Sequence, residues 1–172
     1  KLYMIKFQIN STANIAQDIV IKWQDIINDF CLYRNSTYQC TDNPSDTYVG
    51  NELSYNLYNC NETDYNNEVI SNCASIGSGG YPKTGEVTKI TTDSFIILQP
   101  TSKTYYILTL TIQNKEVEQN YNQGVDFTGR IDIQMYKPTL EGVILATYPP
   151  VGDAIASTYV VDSTGIDFAA IS

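Results

Sequence analysis

Between Asn59 and Glu68 the chain sets out Asn59, Asn61, Glu62, Asp64, Asn66, Asn67 and Glu68, a density of oxygen side chains that could wrap a calcium ion. The order argues against that use. A calcium loop alternates its acids and turns sharply at a glycine, and this stretch does neither. It reads as a solvated loop, and no metal or other cofactor is expected. Asp42, Asn43 and Asp46 around Pro44 read as ordinary turn chemistry.

Glycosidase chemistry would need two carboxyl groups about 5–9 Å apart. Asp126 and Asp132 fall on the outward side of a predicted strand, where they merely solvate it. Gly77-Ser78-Gly79-Gly80 lacks the following Lys of a phosphate-binding loop. Histidine is absent, which removes the Ser-His-Asp and Cys-His nucleophile systems and the commonest transition-metal ligand. The chain is read as a non-enzyme.

Cys31, Cys40, Cys60 and Cys73 are even in number and confined to a stretch rich in Asn, Tyr and Ser. None of their gaps matches a zinc-finger pair, so two disulfides stapling a poorly structured region are expected. Three pairings are open. Cys31–Cys40 with Cys60–Cys73 is favoured because short loops close cheaply. Disulfides would place the chain in an oxidising, extracytoplasmic setting: periplasm, cell surface or extracellular filament.

The tyrosines from Tyr33 to Tyr81 offer aromatic faces that stack on sugar rings or anchor interfaces, which makes host or surface glycans a candidate partner. The plainer reading makes them half-buried filler in a strand-poor region. Three sequons occur, at Asn10, Asn35 and Asn61, with Asn35 and Asn61 the better-placed acceptors.

Composition narrows the partners further. The net charge is −9 and Lys and Arg form no cluster, so nucleic acid and anionic membrane surfaces are not expected partners. No stretch approaches the roughly 18 continuous apolar residues of a membrane span. Lys1 opens directly into a patterned segment without a cleavable leader, as in a mature or truncated form. A length of 172 residues suits a single domain, 1–172.

These groups need elements to hold them. Leu2, Ile5, Ile9, Thr12, Ala16, Ile19, Trp23, Ile26 and Phe30 recur at three- and four-residue steps, which keeps them on one side of a helix. No Gly or Pro interrupts residues 1–33, so the spacing predicts one long amphipathic helix there, with Trp23 in its core-facing seam. A competing reading makes Tyr3, Ile5, Phe7 and Ile9 a short strand and starts a helix near Thr12. Residues 34–85 read as an irregular Cys/Tyr/Asn-rich region, regular only at patches such as Leu53, Tyr55 and Leu57. Residues 86–172 read as an antiparallel sheet. Tyr106, Leu108, Leu110 and Ile112 alternate with Tyr105, Ile107, Thr109 and Thr111, and Val125 to Met135 alternates likewise. Shorter candidates are Val87–Thr91, Phe95–Gln99, Val143–Tyr148, Ala156–Val161 and Ile166–Ile171. The expected fold class is α+β, with the helix lidding the sheet.

A long N-terminal amphipathic helix on an antiparallel sheet, with disulfides in the same body, resembles the type IV pilin family. Minor pilins and the pseudopilins of type II secretion are the nearest members, and Asn14-Ile15-Ala16-Gln17-Asp18-Ile19 is faintly similar to their helices. In that family an apolar half-helix precedes the amphipathic half, which implies membrane contact only through a missing N-terminal segment. The family's cleavage motif is not among these residues, so no functional residue is carried over. The last cysteine is Cys73, whereas major pilins commonly close a C-terminal disulfide loop. The resemblance therefore implies a minor pilin or pseudopilin, a structural subunit with other such subunits as partners. A secreted adhesin or carbohydrate-binding module using the Tyr-rich region is the alternative.

Overall fold

A computed structural model describes residues 2–30, 53–113 and 124–136, together with the backbone of two short strands at 146–147 and 166–168. The described chain is almost entirely antiparallel β-structure in two sheets. In chain order the strands are β1 (Leu2–Ser11), β2 (Gln17–Asn28), β3 (Leu53–Cys60), β4 (Ala74–Gly80), β5 (Ile96–Leu98), β6 (Ser102–Ile112), β7 (Phe127–Met135), β8 (Ala146–Thr147) and β9 (Ile166–Phe168). One sheet has the order β1-β6-β3-β4. The other runs β5-β2-β7-β8, with β9 also on β7. A short helix α1 (Glu62–Asn67) and a single 3-10 turn at Ile70–Asn72 are inserted between β3 and β4.

The long N-terminal helix is not there. Residues 2–28 form β1 and β2, which belong to different sheets and are joined by a short crossing at Thr12–Ala16. The strand reading of Tyr3–Ile9 holds, and the strand habit continues through the second half, where a helix was expected under both readings. The physical reason lies at Asp25. Its φ is +52°, and the pairing of β2 with β7 skips between Gln24 and Ile27. That bulge adds one residue, so the inward positions run Ile19, Ile21, Trp23, then Ile26. Period two with one extra residue mimics the 4-3 rhythm of a helix face. The members that completed the seam, Thr12 and Ala16, are exposed in the crossing.

The core lies between the sheets. Ile5, Phe7 and Ile9 of β1, Leu53 and Leu57 of β3, and Tyr106, Leu108 and Leu110 of β6 face Ile19, Ile21 and Trp23 of β2 and Ile131 and Ile133 of β7 in one buried cluster. Registers fit this division. Ile5 pairs Leu108 and Phe7 pairs Tyr106 in one sheet, while Ile21 pairs Ile133 and Trp23 pairs Ile131 in the other. Each inward side chain of this size contributes roughly 1.5–3 kcal/mol of burial. The fold class is therefore a two-sheet β-sandwich, not α+β. The pilin resemblance rested on the helix over residues 1–33, and the filament-subunit expectation loses its carrier with it.

The supposed irregular region is also corrected where it is described. Residues 53–80 carry two strands and a capped helix. Alternation at Leu53, Tyr55 and Leu57 extends into β3, and the Gly/Ser-rich stretch ending at Gly80 is an edge strand where an irregular region was expected. Residues 34–52, including Cys40, lie outside the described residues, as do Cys31 and the candidate strand Ala156–Val161. Among the described residues no helix is long and apolar enough to cross a membrane.

Candidate functional site

Strand alternation gives the first sheet two faces, and the outward one is assembled from the polar halves of the same strands. Register places Ser54 opposite Thr111 and Asn56 opposite Thr109 across the β3–β6 pair, while Ser78 of β4 sits opposite Asn56 on the other side. All of these are small. The result is an open trough of about 540 Å³, floored by Ser54, Asn56, Ser78, Thr109 and Thr111. That volume falls within the roughly 300–1,000 Å³ of small-ligand sites. Tyr58 and Ile70 line it on the side of the insert, and Leu2 of β1 lines it from the other direction.

The insert owes its position to local chemistry. Asn61 caps α1 by accepting a hydrogen bond from the Asp64 backbone N–H at 2.8 Å. The helix ends at Glu68, whose φ of +58° is a left-handed C-cap conformation. A buried Tyr65 plugs the helix onto the sheet against Ile107, its ring centroid 5.1 Å from that of Tyr105. Lys6 reaches from β1 over the Tyr65 ring at 4.6 Å and pairs with Glu68 at 3.5 Å. The Cys60–Cys73 disulfide closes the base of the insert with a Cα separation of 4.5 Å. This is the favoured pairing for these two cysteines.

The oxygen-rich stretch at 59–68 is thus largely helix and caps. Asp64 receives the side-chain amides of Asn61 and Asn72, so its carboxylate serves the turn. Among the described residues no group of His, Cys, Asp and Glu side chains could hold a metal ion. Asp126 is exposed ahead of β7 and Asp132 is buried within it, with the Gln134 amide donating to its carboxylate at 2.8 Å. Six extended residues span about 20 Å, too far for a glycosidase pair.

The tyrosine cluster divides. Tyr65 and Tyr81 are core residues, and burial pushes the Tyr81 phenol well above its ordinary range. Tyr55 packs edge-on against Trp23, with ring centroids 5.2 Å apart, and its ring covers Gly79. Burial raises its pKa, partly offset by a hydrogen bond with Trp23. Tyr55 and Tyr58 both line the trough, and Tyr58 belongs to the outward face, half-buried beside the Cys60–Tyr65–Ile107 cluster. Tyr33, Tyr38 and Tyr48 lie outside the described residues.

What decides the chemistry of the trough is its hydrogen-bonding state. The Thr109 hydroxyl donates to the Asn56 carbonyl at 3.2 Å, and Ser75 donates to the Asn56 side-chain oxygen. Among the described residues the Asn56 amide nitrogen and the hydroxyls of Ser54, Ser78 and Thr111 find no hydrogen-bond partner. Among the described residues no Asp, Glu, Lys or Arg lines the trough. Reading these residues singly gives only the solvent face of several strands, and the register is needed to bring them together. Comparison with protein-family models, curated proteins and solved structures finds no match to the chain.

Proposed function

We propose that this chain is a non-catalytic recognition module, secreted or displayed on a surface, that takes its ligand in the trough on the outward face of β3, β4 and β6. One observation carries the reading. Four side chains from three strands turn free donors and acceptors into one concavity that the fold has no need to leave open. Ser54, Asn56, Ser78, Gly79 and Gly80 on β3 and β4 leave room above the face that longer side chains would fill. The Cys60–Cys73 bond fits an oxidising, extracytoplasmic environment, where a surface-binding role belongs.

Amide NMR of the whole chain against a library of small neutral fragments tests the site without presuming a ligand. Shifts should gather at Ser54, Asn56, Ser78 and Thr111. Shifts gathered on another surface, or none at all, would remove the trough as the functional site.

A further inference from the structure

From the same trough, and resting on the recognition reading above, we infer that the ligand is a neutral saccharide. The described lining carries hydroxyls, amides and apolar groups and no charge, which selects against phosphate, sulfate, carboxylate and ammonium ligands, since a charged group settling on these residues would lose water with no counter-ion among them to meet it. The chain's net charge of −9 adds to the bias against polyanions.

The free groups are hydroxyls and one amide nitrogen, which are both donors and acceptors. The β lattice spaces them about 5 Å apart between strands and about 7 Å along a strand. A polyhydroxylated ring presents the same mixture of donors and acceptors around its rim and an apolar C–H surface on its face. Tyr58, beside Ile70, offers the surface on which such a face stacks.

An extended peptide is the rival, and the fold disfavours it. Peptides added to sheets are held by backbone ladders at an edge. This trough lies on a sheet face, where β3 and β6 already have their backbones paired on both sides. The free side of β4 is partly taken as well: Thr92 N–H donates to the Ile76 carbonyl at 2.8 Å, and Gly77 abuts the Ile90 backbone.

The test is an array of neutral, sialylated and sulfated oligosaccharides probed with the full chain, followed by NMR titration of the best neutral binder. Its shifts should fall at Ser54, Asn56, Ser78 and Thr111. Asn56→Ala and Ser54→Ala should each weaken binding roughly three- to tenfold. Tyr58→Leu should weaken it to a similar extent while Tyr58→Phe leaves it unchanged, because stacking needs the ring and not the hydroxyl. Ser78→Trp, at an exposed edge position that does not endanger folding, should fill the trough and abolish binding. If neutral fragments or peptides bind the trough but no neutral oligosaccharide does, the saccharide inference falls and the recognition module stands. Binding of charged glycans alone also overturns it. If nothing binds the trough, both readings fall together.

Discussion

Gly77 and Ile90 touch backbone to backbone. A Cβ added to Gly77 would fall inside the contact distance of the Ile90 carbonyl oxygen and 2.9 Å from Thr91 Cα. This is the corner where the two sheets close on each other: Ile90 N–H donates to Ile21 of β2 at 2.7 Å, and the Tyr55 hydroxyl reaches the Ile90 carbonyl at 3.3 Å. The neighbouring atoms are main chain, so they cannot swing aside. Gly77→Ala should cost about 1–3 kcal/mol in urea unfolding. Gly80→Ala, whose Cβ would meet only the Leu53 carbonyl, at 3.7 Å, among the described residues, should cost far less. Equal effects would mean that the corner is loosely packed.

The bulge at Asp25 makes an opposite pair of forecasts for helix and strand. In the left-handed conformation a β-branched side chain costs about 1–2 kcal/mol, so Asp25→Val should destabilise by that amount and Asp25→Gly should not. Were residues 17–28 helical, glycine would be the damaging substitution, by about 1 kcal/mol. Thermal unfolding of the two variants separates the cases.

Much of the β architecture can be read from pattern alone, and the misreading has a definite origin. Tyr106, Leu108 and Leu110 alternate without a bulge, and β6 forms where that alternation lies. Residues 2–28 alternate too, but the Asp25 bulge and the exposed crossing at Thr12–Ala16 splice two strands into a false helical rhythm. β4 is obscure for another reason: with Ser and Gly at most positions it has little apolar signal, and its partner Tyr55 supplies the packing that its own residues lack. The trough is the least legible feature. Ser54, Asn56, Ser78, Thr109 and Thr111 are far apart in the chain and acquire meaning only through register.

Removing the cross-link should loosen the insert and the sheet it covers. Closing a loop between residues separated by 13 positions is worth about 3 kcal/mol through the unfolded state. The double variant Cys60→Ser with Cys73→Ser should lose about that much in denaturant unfolding. An unchanged midpoint would show that Tyr65 and Lys6 alone secure the insert.

Alkaline stability should fall in a defined window. Burial pushes the Tyr106 phenol from 10.0 up to about 12, with a hydrogen bond to Thr104 acting in the other direction. Below pH 10 the phenol is neutral in folded and unfolded chains alike. Between 10 and about 12 only the unfolded chain ionises, so stability declines as pH rises, by roughly 2–3 kcal/mol from this residue. Tyr106→Phe keeps the ring stacked on Phe7, 5.1 Å between centroids, and should make that decline shallower by this residue's share, leaving the part due to Tyr81 and Tyr55. A pH profile identical to that of the parent would show that Tyr106 does not titrate as a buried group.

The linkage at the mouth of the β3–β4 hairpin has an evolutionary corollary. With Cys60 and Cys73 joined just where Asn59 pairs Ala74, the intervening residues enter and leave the sandwich through one fixed doorway. Their sequence can drift, provided the plug at Tyr65 survives, without disturbing the strand pairing on either side. The stretch is a cassette, and exchanging it would remodel one bank of the trough while the sandwich beneath stays the same.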